Sequence, residues 1–334
     1  MGAPRLKRTL WLSTGAGLLV MAALVLLADA GETLRALGGM NLAWLPLLLV
    51  FSVANYITRF GKWEYFLRLL GLRLRTADSL GIFVGGFVFS ITPGKLGEVF
   101  KSFLVREIDG APISRTAPVV FAERFTDLGG LLILASAGVI GSRQGGFAWI
   151  AGLALLVLLF ALISSRRVED LVLRLLARLG PLGRRADAMV RALESARALL
   201  RPRDLPALLA LSTVSWFWEC WALVFAARAF GAELALGEAV FIYSLATLAG
   251  ALAFLPGGLG VTEGSLALLL VGRAGLERGV AAASTMVIRA ATLWFAVAIG
   301  VVALAWLDRR WHLGARLWGG PGSAPLETEE GRSP

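Results

Sequence analysis

An all-α integral membrane protein built as an inverted repeat, with six full transmembrane helices and two re-entrant helical hairpins, is the fold class this sequence predicts. Three observations predict it. Hydrophobic residues make up 57% of the 334 and charged ones only 17%, for a mean hydropathy of +0.74; a soluble domain of this size carries far more polar surface. Apolar runs of bilayer length recur along the chain. Finally, two segments break at a Pro-Gly in corresponding places of the two halves: "SITPGKLGEVFKS" (90–102) and "AFLPGGLGVTEGS" (253–265).

The first run, 9–28, follows "RLKR" and ends without a small-residue cleavage site, so it predicts an uncleaved first helix. Runs at 42–59, 117–140, 147–163, 205–227 and 279–306 supply the other five spans. With the N-terminus cytoplasmic, 25 of the 33 Lys and Arg fall inside, at 5–8, 59–75, 101–115, 166–203 and 309–332. Only Arg35, Arg143, Arg228, Arg273 and Arg278 fall outside, while Lys95, Arg124 and Arg289 lie at membrane depth. Positive charge retained on the inside orients such spans. The expected protein is therefore multi-pass in the cell (inner) membrane, with both termini cytoplasmic and residues 29–41, 141–146 and 228–238 outside.

Residues 1–318 read as one membrane domain and 319–334, "GGPGSAPLETEEGRSP", as a disordered tail. Between the halves, segment 164–204 carries ten arginines at amphipathic helical spacing. It is expected to lie on the anionic cytoplasmic leaflet, at about 1 kcal/mol per basic residue near the surface. The net charge of +10 thus calls for a lipid surface as partner, not nucleic acid. One cysteine, Cys220, and one histidine, His312, leave no disulfide framework, metal site or His-based triad, so no cofactor or metal is expected.

The repeat joins 42–140 to 205–306. "LPLLLVFS" (45–52) pairs with "LPALLALS" (205–212), "GLRLRTAD" (71–78) with "GAELALGE" (231–238), and "PGKLG" with "PGGLG". Glu98 precedes Arg124, and Glu263 precedes Arg289, by the same 26 residues. The offset drifts only from 160 to 165. The span at 42–59 runs inward and that at 205–227 outward, so the halves are inverted. Paired broken segments in inverted repeats point to a transporter's binding site. Segments 79–106 and 238–273 are the two broken ones, and their tips must line a protein-enclosed cavity because bare backbone cannot face lipid.

Each break starts a second helical arm whose unpaired N–H groups and dipole point toward the midplane. With Lys95 beside them, Gly94, Gly97, Gly257, Gly258 and Gly260 form a candidate lipid-phosphate site. Glu98–Arg124 and Glu263–Arg289 are expected ion pairs at depth, with two readings open, structural ties or transport groups. Asp127 and Glu219 are candidate proton or headgroup partners, and Arg59, the repeat equivalent of Glu219, reads as a cytoplasmic anchor.

At "PGKLGEVFKSFLVRE", "ERFTDLGGLL", "FLPGGLGVTEG" and "RAATLWF" the chain resembles the lysylphosphatidylglycerol synthase transmembrane, or flippase-like, domain family, over residues 5–310. The resemblance implies lipid translocation. Its best-known members join such a flippase half to a soluble aminoacyl-transferase half, which has no counterpart in this sequence, so the resemblance argues against synthase activity. Other members are linked to glycan or isoprenoid-lipid pathways, so the lipid does not carry over. The expectation is a non-enzymatic transporter moving a phospholipid or polyprenyl-phosphate lipid between leaflets. Two alternatives stand beside it: a non-transporting scaffold partnered with a lipid or glycan biosynthetic enzyme, and an intramembrane lipid transferase.

Overall fold

The computed structural model describes residues 29–91, 99–139, 186–253 and 255–313, with single positions between 15 and 26 and at 150, 154 and 158. Most of the runs 9–28 and 147–163, the connector up to 185, the tail, and Gly94, Lys95, Gly97 and Glu98 lie outside the described residues.

Every described element is helical: α1 Ala30–Gly38, α2 Leu45–Leu69, α3 Thr76–Gly85, α4 Phe100–Asp109, α5 Ile113–Val139, α6 Ala186–Leu199, α7 Leu205–Arg228, α8 Leu236–Leu252, α9 Val261–Gly272, α10 Arg278–Arg289 and α11 Phe295–Trp311. Short 3₁₀ turns cover Leu42–Trp44, Gly86–Ile91 and Pro256–Gly258, and a π turn over Ala290–Trp294 joins α10 to α11. Among the described residues, Leu42–Leu69, Leu205–Arg228 and Arg278–Trp311 are long and apolar enough to cross a membrane. They correspond to three of the expected spans. Residues 117–139 of a fourth expected span, 117–140, lie in α5, a helix of 27 residues that carries Pro118 inside it.

Helix ends follow local rules. α2 and α7 each carry proline in the first turn, where its missing N–H costs nothing. Each is followed by a glycine with positive φ, Gly71 at 70° and Gly231 at 73°. The Gly71 N–H donates to Arg68 O and that of Leu72 to Leu67 O, both 2.9 Å; Gly231 and Ala232 make the same bonds to Arg228 O and Ala227 O, at 2.9 and 3.1 Å. Glycine is needed because L side chains avoid this region.

α2 and α7 form an antiparallel centre. Trp44 stacks on Phe225 at one end, with centroids 5.4 Å apart, and Tyr65 Oη donates to Asp204 Oδ1 (2.9 Å) at the other. α3 folds back on α4, and α8 on α9. α3 packs on α11 and α8 on α5, so each half's broken segment rests on the other half's long helix. α6, from the connector, packs on α5 and buries Ser195 and Leu199. One apolar core surrounds Leu223, Ile242 and Leu266; another surrounds Trp63, Phe66, Phe83 and Leu104.

Two expectations need correction. α2 continues to Leu69, beyond the expected span end at 59. Lys62 and Lys101, counted among the cytoplasmic basic runs, are both buried. Each is neutralised by a carboxylate on α5, which lowers the cost of taking the charge out of water.

Candidate functional site

The site begins as a polar stripe on an apolar helix. Ser52, Asn55, Arg59 and Lys62 recur at helical spacing on α2, and Ser212, Ser215 and Glu219 do so on α7. Residues three and four apart share a helix face, so the two stripes meet in a seam. Asn55 Nδ2 donates to Ser215 O at 2.7 Å, and Trp218 Nε1 to Thr58 Oγ1 at 3.3 Å. Both bonds join residues 160 apart, the offset of the sequence repeat.

Toward one end of the seam, α5 supplies Asp127. Lys62 Nζ lies 2.5 Å from Asp127 Oδ1, and donates to Ser212 Oγ at 2.8 Å and Thr126 Oγ1 at 3.3 Å. Asp127 Oδ2 faces Arg124 Nη2 at 3.3 Å and Arg59 Nη2 at 3.6 Å. Arg59 also lies over the Trp216 ring, 5.8 Å from its centroid. It is therefore part of a buried charge cluster and not a surface anchor. Asp127, expected as a proton or headgroup partner, is the carboxylate around which three cations gather. One turn earlier on α5, Glu123 Oε2 takes Lys101 Nζ at 2.6 Å, and that ammonium lies 4.7 Å from the Trp63 ring centroid. A Cβ at Gly86 would stand 2.6 Å from Lys101 Cγ, so the lysine passes where only glycine leaves room. Toward the other end of the seam, Glu219 accepts from Tyr243 Oη.

The second break sits beside this seam. Gly257, Gly258 and Gly260 all have positive φ, at 60°, 68° and 86°. Glu263 Oε2 accepts from the Gly260 N–H at 2.7 Å, capping α9. Arg289 Nε meets Glu263 Oε1 at 2.6 Å, and its Nη2 donates to Gly257 O at 2.9 Å. One ion pair thus fastens both sides of the break. The Gly258 N–H donates to Leu255 O at 3.0 Å, so the N–H groups of Gly258 and Gly260 are engaged within the chain. A Cβ at Gly258 would stand 2.5 Å from Thr262 Oγ1 and 3.3 Å from Gly250 Cα, so packing between α8 and α9 demands glycine there. Gly257 faces outward from this hairpin: a Cβ on it would lie 3.5 Å from Ser90 O and 3.6 Å from Ile91 Cα. The two broken segments therefore touch.

Glu263, Arg289 and the three glycines from Gly257 to Gly260 come together at one tip; Arg124 and Asp127 come together on α5; Glu219 stands apart with Tyr243. Lys62 and Lys101 carry no role in the sequence reading, and Glu123 figures there only as a charge at membrane depth in "ERFTD" (123–127). Polar residues spaced i, i+3, i+7 and i+10 from Ser52 were the signal for Lys62, but a count of basic residues by loop passes over it. Lys101 has no such stripe.

Residues 15–300 match the family described as the lysylphosphatidylglycerol synthase TM region. Two UPF0104 membrane proteins of Methanothermobacter thermautotrophicus are 26% and 24% identical to the chain over 309 and 313 residues, covering 85% and 86% of it and 90% and 92% of themselves. A UPF0104 membrane protein of Methanocaldococcus jannaschii is 24% identical over 196 residues, 55% of this chain and 79% of that protein.

Proposed function

Because this chain belongs to the lysylphosphatidylglycerol synthase transmembrane-region family, we propose a flippase-like role for it: moving a phosphate-bearing amphiphilic lipid between the leaflets of the cell membrane. One observation carries the reading. The break at Pro256–Gly258 meets the mostly buried turn at Gly86–Ile91, beside a seam of buried charge between two long antiparallel helices. Non-helical backbone at membrane depth needs protein or water around it, and contacts between broken helices are where repeat-built transporters hold their cargo.

The inverted repeat is supported by the backbone as well as the sequence. Left-handed glycines fall at 71 and 231, and again at 110 and 275, matching the offsets of 160 and 165. α2 and α7 run antiparallel and meet at the repeat-equivalent pair Asn55 and Ser215. In this reading the headgroup passes along the polar seam while the hydrocarbon tails stay in the bilayer. The two halves rock about the meeting tips, and the Glu263–Arg289 pair holds the second tip rigid while they do.

The test is translocation in proteoliposomes. Vesicles carrying the full chain and tail-labelled fluorescent phosphatidylglycerol are treated with a membrane-impermeant quencher, with and without a proton gradient. Accelerated loss of inner-leaflet signal over protein-free vesicles is expected under at least one condition. No acceleration with folded, correctly inserted protein overturns the reading for this lipid class.

A further inference from the structure

Buried donors and buried acceptors stand side by side in the seam without bonding each other. Among the described residues, Arg59 Nε and Trp216 Nε1 donate no hydrogen bond, and Asn55 Oδ1 and Asp127 Oδ2 accept none. Asn55 is wholly buried, Trp216 and Asp127 nearly so. Asn55 and Arg59 stand one turn apart on α2, about 6 Å of rise. Asn55 Nδ2 donates at 2.7 Å to the carbonyl of Ser215, the residue before Trp216. The Arg59 guanidinium lies 5.8 Å from the Trp216 ring centroid, and its Nη2 lies 3.6 Å from Asp127 Oδ2, a charge contact longer than a hydrogen bond. Arg124 also faces Oδ2, at 3.3 Å, and has a further interaction of its own. Lys62 takes the other oxygen, Oδ1.

The Asn55 amide can face only one way. Its partner is a carbonyl, so the atom beside Ser215 O must be the NH2 group, and the remaining atom is an acceptor. The demand on a ligand is therefore for both kinds of hydrogen bond, and not for a charge. A phosphodiester only accepts and does nothing for Asn55 Oδ1 or Asp127 Oδ2. An ammonium only donates and does nothing for Arg59 Nε or Trp216 Nε1. A hydroxyl does both. Groups a helical turn apart call for more than one of them, which describes the adjoining hydroxyls of a glycerol or a sugar. Arg59 keeps 13% of its side chain exposed, so a ligand has a way in.

We propose that Asn55, Arg59, Trp216 and Asp127 bind the hydroxyls of a polyol headgroup in the α2–α7 seam. Arg59 Nε and Trp216 Nε1 donate to hydroxyl oxygens, and the hydroxyl protons go to Asn55 Oδ1 and Asp127 Oδ2. Lys62 is a positioning residue: it holds Asp127 through Oδ1 and leaves Oδ2 to the ligand. The assignment rests on the lipid-transport reading and names the headgroup class that the seam selects.

The full chain, purified in a polyoxyethylene detergent that carries no sugar of its own, is titrated in mixed micelles with phosphatidylglycerol, phosphatidylethanol and glucosyl diacylglycerol. Affinity and melting temperature are the readouts. The first two lipids share one phosphodiester charge and differ in the headgroup hydroxyls, so the parent should bind phosphatidylglycerol about fivefold more tightly, the worth of one hydrogen bond. Trp216→Phe keeps an aromatic ring and loses the N–H. It should weaken the polyol lipids about fivefold and leave phosphatidylethanol unchanged, with the unliganded melting temperature little altered because that N–H has no bond to lose. Asn55→Ala should narrow the same preference, read as a ratio between lipids so that any loss of stability cancels. Glucosyl diacylglycerol binding more tightly than phosphatidylglycerol assigns the site to a sugar, the reverse order assigns it to glycerol, and either upholds a polyol. Parent affinity no greater for either polyol lipid than for phosphatidylethanol, or a preference intact in both variants, overturns the site and leaves the seam to water only. Translocation by the parent in proteoliposomes is scored separately, so the site can fail while the transport reading stands.

Discussion

Glu263 does more at its position than carry a charge. Its two oxygens are divided between Arg289 and the Gly260 N–H, and Arg289 divides its donors between Glu263 and Gly257 O. Exchanging the two residues, Glu263→Arg with Arg289→Glu, would restore opposite charges but leave both backbone groups at the break without their partners. Arg289→Ala alone is expected to cost about 3–5 kcal/mol, the range for stranding one member of a buried pair. The exchanged protein should regain less than half of that. The measurement is unfolding of the detergent-solubilised protein for both variants. Recovery close to the parent would mean that the pair acts through charge alone and that the cap on α9 contributes nothing.

The turns that end α2 and α7 make a cleaner comparison. Gly71 and Gly231 share a left-handed backbone, and a Cβ at Gly231 would meet no atom within 4 Å, so a methyl there is opposed by dihedral strain and not by crowding. Gly231→Ala should lose about 1 kcal/mol. Gly264 lies inside α9 with ordinary helical backbone and equally open space. Gly264→Ala should gain up to about 1 kcal/mol, because alanine restricts the unfolded chain more. Thermal unfolding of the two variants side by side checks the opposite signs. Such elements were legible from sequence because their causes are local: a proline in the first turn, a glycine past the last, an apolar run between. The positions of Gly257, Gly258 and Gly260 at a break were legible for the same reason. What was not legible was long-range. Lys62 belongs to a basic run by sequence, and only the approach of Asp127 on α5 and Ser212 on α7 turns it into a buried ligand of both. The same holds for Arg59, whose surroundings come from α5 and α7, and for Lys101, whose place depends on Glu123, Trp63 and the space at Gly86.

For the whole molecule, the proposed inverted repeat makes a demand on sidedness. Arg73 and Glu233 are repeat equivalents, and both are exposed just after a left-handed glycine. Single cysteines at these positions should react with an impermeant thiol reagent from opposite faces of the membrane, Arg73→Cys from the cytoplasm and Glu233→Cys from outside. The native Cys220 is buried and should add little background. Labelling of both from one face would dissolve the inversion. The packing also has a temporal side. Arg310 Nε reaches back across 232 residues to Asp78 at 2.7 Å, and Tyr56 Oη reaches forward 236 residues to Thr292 O at 2.7 Å. During synthesis the first hairpin emerges long before the helix that covers it. Closing contacts of such sequence separation is slow, and unfinished intermediates expose surfaces that associate wrongly. The early segments must wait in the bilayer with the α11-facing side of α3 unclaimed, and Lys62, once paired with Asp127, still waits for Ser212. An interlocked pair of halves is therefore a protein whose assembly is decided at the last helix inserted, and whose dependence on membrane insertion machinery should fall on its final third.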